Sequence, residues 1–99
     1  MTVEKRLEDK VLRVSVEGRL DTMTAPQLEQ EVLPQLGGVE KLVIDLKDLV
    51  YISSAGLRVL VAAANAMDEN HGEMIVVNPR DNVRDVFDLT GLSDGLGVQ

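Results

Sequence analysis

Cysteine and tryptophan are absent from this 99-residue chain, which holds one tyrosine, Tyr51, one phenylalanine, Phe87, and one histidine, His71. Without cysteine there is no disulfide, no thiolate nucleophile and no cysteine metal site. With two aromatic residues the core must be aliphatic. Bases are also scarce: 10 Lys and Arg stand against 17 Asp and Glu, a formal net charge of −7. Binding to nucleic acid needs clustered cations to neutralise phosphates. No such cluster occurs, and the net field repels a polyanion, so no direct nucleic-acid partner is expected. Long apolar runs are missing too. The longest, Val59 to Ala64, falls far short of the roughly 18–20 residues that span a bilayer. The residues from Met1 onward mix acids and bases, with no cationic leader ahead of an apolar stretch. The reading is one compact cytoplasmic domain without membrane insertion.

What is present is patterned. Residues 3–8 alternate weakly, as a short edge strand does. Residues 11–17, VLRVSVE, alternate clearly, with Leu12, Val14 and Val16 on one face. A polar turn between the two predicts a hairpin. After Gly18, a loop leads to a helix over about 25–36, with Thr24 as N-cap, Pro26 in its first turn and Leu28, Val32 and Leu36 on one face. Pro34 should kink or fray its end. Residues 41–46, KLVIDL, read as a central strand and 54–69 as a largely buried helix carrying Leu57, Leu60, Val61, Ala64 and Met67. Residues 73–77 read as another buried strand. A last helix over about 81–89 should face Val83, Val86, Phe87 and Thr90 inward and stop at Gly91. The Gly-rich tail is read as a short strand or as disordered. The order is β-β-α-β-α-β-α. The expected fold class is α/β: a mixed, mostly parallel sheet of about four strands with flanking helices, in one domain over residues 1–99.

The stretch YISSAGLRVL, at 51–60, places two serines where a strand hands over to a helix. Serine is a preferred N-cap, so Ser53 or Ser54 could simply satisfy a free N–H, with Ala55 and Gly56 letting the helix sit close to the sheet. Catalysis is a second reading. Ser54-Ala55-Gly56 is half of a G-x-S-x-G nucleophile elbow, but Ile52 stands at the leading glycine. The only histidine lies at the far end of the helix that Ser54 begins, more than about 20 Å away, and reads as a solvated C-terminal cap. Asp45, Asp48, Asp68 and Glu69 read as scattered solvent-facing charges rather than a metal site. No catalytic residue, metal or cofactor is expected. The third reading is modification: a phosphate at a helix N-terminus meets free N–H groups and a favourable dipole, and adds about −1.5 to −2 charges.

Three blocks of sequence carry a resemblance. VSVEGRLDTMTAPQLEQEV, LVIDLKDLVYISSAGLRVLVAAANAM and MIVVNPRDNVRDVFDLTGL together resemble the STAS domain family, shared by sulfate-transporter tails and bacterial anti-sigma factor antagonists. In the antagonists the modified serine lies two residues before the motif glycine. That glycine is Gly56 here, so the resemblance implies phosphorylation at Ser54, with Ser53 as the alternative. Family members often carry Asp where this chain has Ser53. Asp21, in GRLD, matches an acidic loop residue near the site, and its other reading is a turn cap. Thr22 and Thr24 would line the same loop. Arg58, one turn beyond Ser54, reads either as a partner contact or as a solvated helix charge.

The resemblance implies a binding module and no enzyme. Unphosphorylated, it would sequester an anti-sigma factor that is also a serine kinase, and so free a sigma factor for transcription. Phosphorylation by that kinase would end the complex and a serine phosphatase would restore it, with ATP and Mg²⁺ belonging to the kinase. The partner-binding face would comprise Asp21, Thr22, Ser53, Ser54, Gly56 and Arg58. The alternative is a stand-alone STAS adaptor that docks on the ATPase of a lipid-transport complex.

Overall fold

The computed structural model describes residues 1–99. The chain runs β1 (Thr2–Glu8), β2 (Val11–Leu20), α1 (Ala25–Val32), a 3₁₀ turn (Leu33–Gln35), β3 (Lys41–Asp45), β4 (Leu49–Ile52), α2 (Ser54–Glu69), β5 (Glu73–Val77) and α3 (Asp81–Thr90). The hairpin of β1 and β2 is antiparallel, from Thr2 opposite Glu17 to Glu8 opposite Val11. Asp9 and Lys10 both take positive φ, 50° and 67°, the geometry that suits a two-residue hairpin loop. Strands β2, β3 and β5 are parallel neighbours, so the sheet runs β1-β2-β3-β5 with β3 central.

The sheet has five strands rather than about four. The additional one, β4, pairs in parallel with the far end of β2. Its four residues leave Val50 and Tyr51 exposed between buried Leu49 and Ile52, so no alternating pattern marks it as a strand. The pairing is irregular: Gly18 lies opposite Leu49 and Arg19 opposite Tyr51, so Val50 of β4 is the extra residue of a bulge.

The apolar faces expected of β2 and α1 are buried: Leu12, Val14 and Val16 on the strand, Leu28 and Val32 on the helix, and Leu36 just beyond it. Helix α1 ends at Val32, earlier than expected. Pro34 lies in the 3₁₀ turn that follows, where its missing N–H breaks no α-helical bond. Within α3, Val83 and Phe87 are buried and Val86 is half-buried. Thr90 is exposed, against expectation, and its hydroxyl donates back to the Val86 carbonyl of its own helix at 2.7 Å. The tail is ordered: Leu96 is buried, and Val98 bridges Val76 in parallel.

Asp45 corrects the reading of it as a solvent-facing charge. It is the one buried charged residue. Its carboxylate accepts from Arg13 at 2.8 Å, from the Lys47 N–H at 3.1 Å and from the Asn78 amide at 3.3 Å. Burial pushes the carboxyl up, but the Lys47 N–H, the Asn78 amide and the Arg13 guanidinium outweigh it and hold it below its ordinary value of 3.8. The stability it contributes is therefore complete above that value and is lost as pH falls through the lower folded one. Asp45→Asn is expected to cost about 1 kcal/mol at neutral pH, since half-exposed Arg13 weakens the pair. The variant should also flatten the acid limb of the stability curve. Urea unfolding across pH 2–7 (roughly the span of carboxylate titration) checks this. Parallel curves for the two proteins would rule out Asp45 as the linked group.

Candidate functional site: two strand ends and the start of α2

Because β2 and β4 run parallel with Leu20 opposite Ile52, both chains leave the sheet at the same edge. The Ser53 N–H donates to the Leu20 carbonyl at 2.9 Å. The loop beginning at Asp21 and the start of α2 are thereby set side by side, although 32 residues separate Asp21 from Ser53 in the sequence.

The two serines divide the local work. Ser53 has extended backbone (φ −103°, ψ 175°) and is the N-cap of α2, its Oγ accepting from the Gly56 N–H at 3.4 Å. Ser54 is the first helical residue and is exposed. The capping reading therefore holds for Ser53, while Ser54 is exposed. Gly56 is buried, and a Cβ there would lie 2.6 Å from Leu20 Cγ and 3.0 Å from Ile52 Cγ1. Its place in the site is packing beneath the face, which holds α2 against the ends of β2 and β4.

Asp21 is a turn cap. Its Oδ1 accepts from the N–H groups of Met23 (3.0 Å) and Thr24 (3.1 Å). The Thr24 N–H is the chief reason the Asp21 carboxyl lies below its usual range; partial desolvation opposes it, and the Met23 N–H, the Thr24 hydroxyl and Arg19 assist. Thr24 precedes α1 as its N-cap, but its hydroxyl does not cap that helix. It accepts from the Asp21 N–H at 2.9 Å and donates to the Arg19 carbonyl at 2.8 Å. Thr22 and Arg58 are exposed and line one shallow groove of about 280 Å³ with Ala25, Pro26 and Glu29 of α1.

Sequence reasoning missed three residues at this edge. Met23, at the tip of the Asp21 loop, is 86% exposed. The Arg19 guanidinium lies 4.2 Å from the centre of the Tyr51 ring, and its Nε is 3.8 Å from Asp21. The strand register of Arg19 opposite Tyr51 creates that stack; nothing local in the sequence signals it. His71 is exposed beyond the far end of the 16-residue α2, about 24 Å from the serines at 1.5 Å per residue. No group of three or more His, Asp or Glu could hold a metal ion. No helix is long and apolar enough to cross a membrane.

Compared with known families, residues 2–99 match the STAS domain. The chain belongs to the STAS domain family. This STAS domain is 30% identical over 99 residues to the anti-sigma-B factor antagonist of Staphylococcus aureus, covering 99% of this chain and 92% of that protein. It is 33% identical to an anti-sigma factor antagonist from Mycobacterium paratuberculosis, with a TM-score of 0.86 over 98% of this chain and 83% of that one. Its fold also matches SpoIIAA in two states. The unphosphorylated form gives a TM-score of 0.87 at 19% identity over 99% and 86% of the two chains. The phosphorylated Bacillus form gives 0.80 at 18% identity over 99% and 89%. The mixed sheet and its three helices are thus those of the STAS fold.

Proposed function

We propose that residues 1–99 act as one STAS domain that antagonises an anti-sigma factor in the cytoplasm, and that phosphorylation of Ser54 switches it off. The observation that carries this reading is the division between the serines: Ser53 is occupied as a helix cap, while Ser54 is exposed at the first position of α2. Relatives that are anti-sigma factor antagonists supply the functional class, and SpoIIAA is a STAS fold known in a phosphorylated form.

The docking face consists of Asp21, Thr22, Ser53, Ser54 and Arg58, with Gly56 supporting it from below. The partner is an anti-sigma factor with serine-kinase activity. Unmodified, the domain holds that partner and frees a sigma factor. The kinase transfers a phosphoryl group from its own Mg²⁺-bound ATP to the Ser54 hydroxyl, and the STAS domain itself holds no cofactor. About −1.5 to −2 charges then stand on a face that had presented a neutral hydroxyl, so the complex separates. A serine phosphatase returns the domain to its binding form.

Intact-mass spectrometry of the protein isolated from its own host, with peptide mapping, tests this. One phosphate on Ser54 is expected, retained in Ser53→Ala and lost in Ser54→Ala. Phosphate on Ser53 instead would reject the site. Absence of phosphate under every growth condition would reject the switch, and the adaptor on a transporter ATPase would become the better account.

A further inference from the structure

We propose that a phosphate on Ser54 is held within the same chain by Arg58, so that modification both adds an anion to this face and removes a free cation from it. The inference rests on the reading of Ser54 as the modified residue.

The chain has six arginines. Arg6, Arg13 and Arg19 pair with Glu8, Asp45 and Asp21. Arg80 donates to the Lys47 carbonyl at 2.9 Å and Arg84 to the Gln99 carbonyl at 2.6 Å. Arg58 alone has no such partner. It stays unpaired although acids outnumber bases by seven, 17 against 10. The reason is local. Helix α2 has no acid in its first turn, and its first acid is Asp68. Asp21, in the neighbouring loop, is engaged by the N–H groups of Met23 and Thr24 and lies beside Arg19. Glu29 of α1 lines the same groove as Arg58 but forms no ion pair with it within 4.0 Å.

Direction completes the case. Ser54 and Arg58 are four residues apart on one helix, so they are stacked neighbours on its surface. Arg58 lines the groove beside α1 with Ala55 and Val59, and because helical Cα–Cβ bonds tilt toward the N-terminus, its long side chain can swing back over the turn that Ser54 opens once a phosphate stands there. The planar guanidinium presents a fork of N–H donors that matches two phosphate oxygens. Before modification, Arg58 is a cation available to an acidic group on a partner. Afterward it is neutralised in cis. Both changes disfavour the same acidic partner surface.

The test installs phosphoserine at position 54 of the full chain by genetic-code expansion, so no kinase is required. The second ionisation of the phosphate is then followed by ³¹P NMR against pH. With Arg58 present the midpoint is expected about half a unit lower than in Arg58→Gln, because the guanidinium favours the dianion. The difference should shrink in about 1 M salt, where the Debye length is roughly 3 Å. Arg58→Lys, which keeps the charge without the fork, should recover part of the shift. Equal midpoints with Arg58 and with Gln at low salt would overturn the latch and leave Ser54 standing as the modified residue. Absence of phosphate on Ser54 in the host would overturn the functional reading without altering this titration.

Discussion

Gly56→Val is expected to destabilise the protein by about 3 kcal/mol or more, at the upper end of what overpacking a close contact costs. The position lies on the face of α2 that meets the ends of β2 and β4. A single Cβ would already sit 2.6 Å from Leu20 Cγ and 3.0 Å from both Leu20 Cδ2 and Ile52 Cγ1. Those neighbours have no room to retreat, since Leu20 and Ile52 are themselves buried in the core. Gly56→Ala should show part of the same loss, about 1–2 kcal/mol, because alanine's better helix propensity returns about 1 kcal/mol. Urea unfolding at constant m reads both values. The matched control is Gly37→Ala, whose Cβ meets nothing within 4 Å, and which should change stability by no more than a few tenths of a kcal/mol or raise it. A Gly56→Ala protein as stable as the original would mean that α2 stands further from the sheet than described. The effect should reach the site as well. Leu20 leads directly into the Asp21 loop and Ile52 into Ser53, so a helix pushed outward separates the two halves of the proposed docking face.

Phe87→Ala should be costlier, about 3–5 kcal/mol, the usual range for truncating a buried aromatic. Phe87 is the only phenylalanine and is fully buried in the main core cluster. Its helix, α3, packs on β4, and Asn82 at the start of that helix donates to the Val50 carbonyl at 2.9 Å. Domains of this size have about 5–15 kcal/mol in total, so the variant should melt many degrees lower, at about 4–8 °C per kcal/mol. Leu89→Ala, at a side chain 87% exposed on the same helix, is the control and should be within about 0.5 kcal/mol of the original. A loss under about 1 kcal/mol for Phe87→Ala would mean that α3 is not anchored through its aromatic ring. Because β4 runs straight into Ser53, weakening α3 should also loosen the strand that positions the serines.

Much of this protein is determined by the sequence alone. Alternation in VLRVSVE specifies a half-buried strand, and that strand forms. The mixed apolar faces between Ser54 and Glu69 specify a packed helix with the observed bounds. Gly91, at φ 72°, ends α3 where a left-handed residue is needed. Two adjacent hydroxyls at the start of a helix mark a candidate site in the chain itself. These features follow from periodicity and local backbone preference, which act over a few residues and so can be read along the chain.

Other features were decided only by the tertiary structure. Strand β4 is too short and too exposed to show a period, and exists because the far end of β2 offers it a parallel edge. Asp45 resembles any other acid until β2, β3 and the turn after β5 bring Arg13 and Asn78 to it. Which serine caps and which is free depends on the extended backbone at Ser53, set by its bond to the Leu20 carbonyl. That Arg58 lacks a counter-ion depends on where every acid in the chain ends up. Pairing across more than 30 residues of sequence has no local signature: its energy exists only once both partners are in place. For that reason the hydroxyls of the site can be seen in the sequence, and their environment only in the fold.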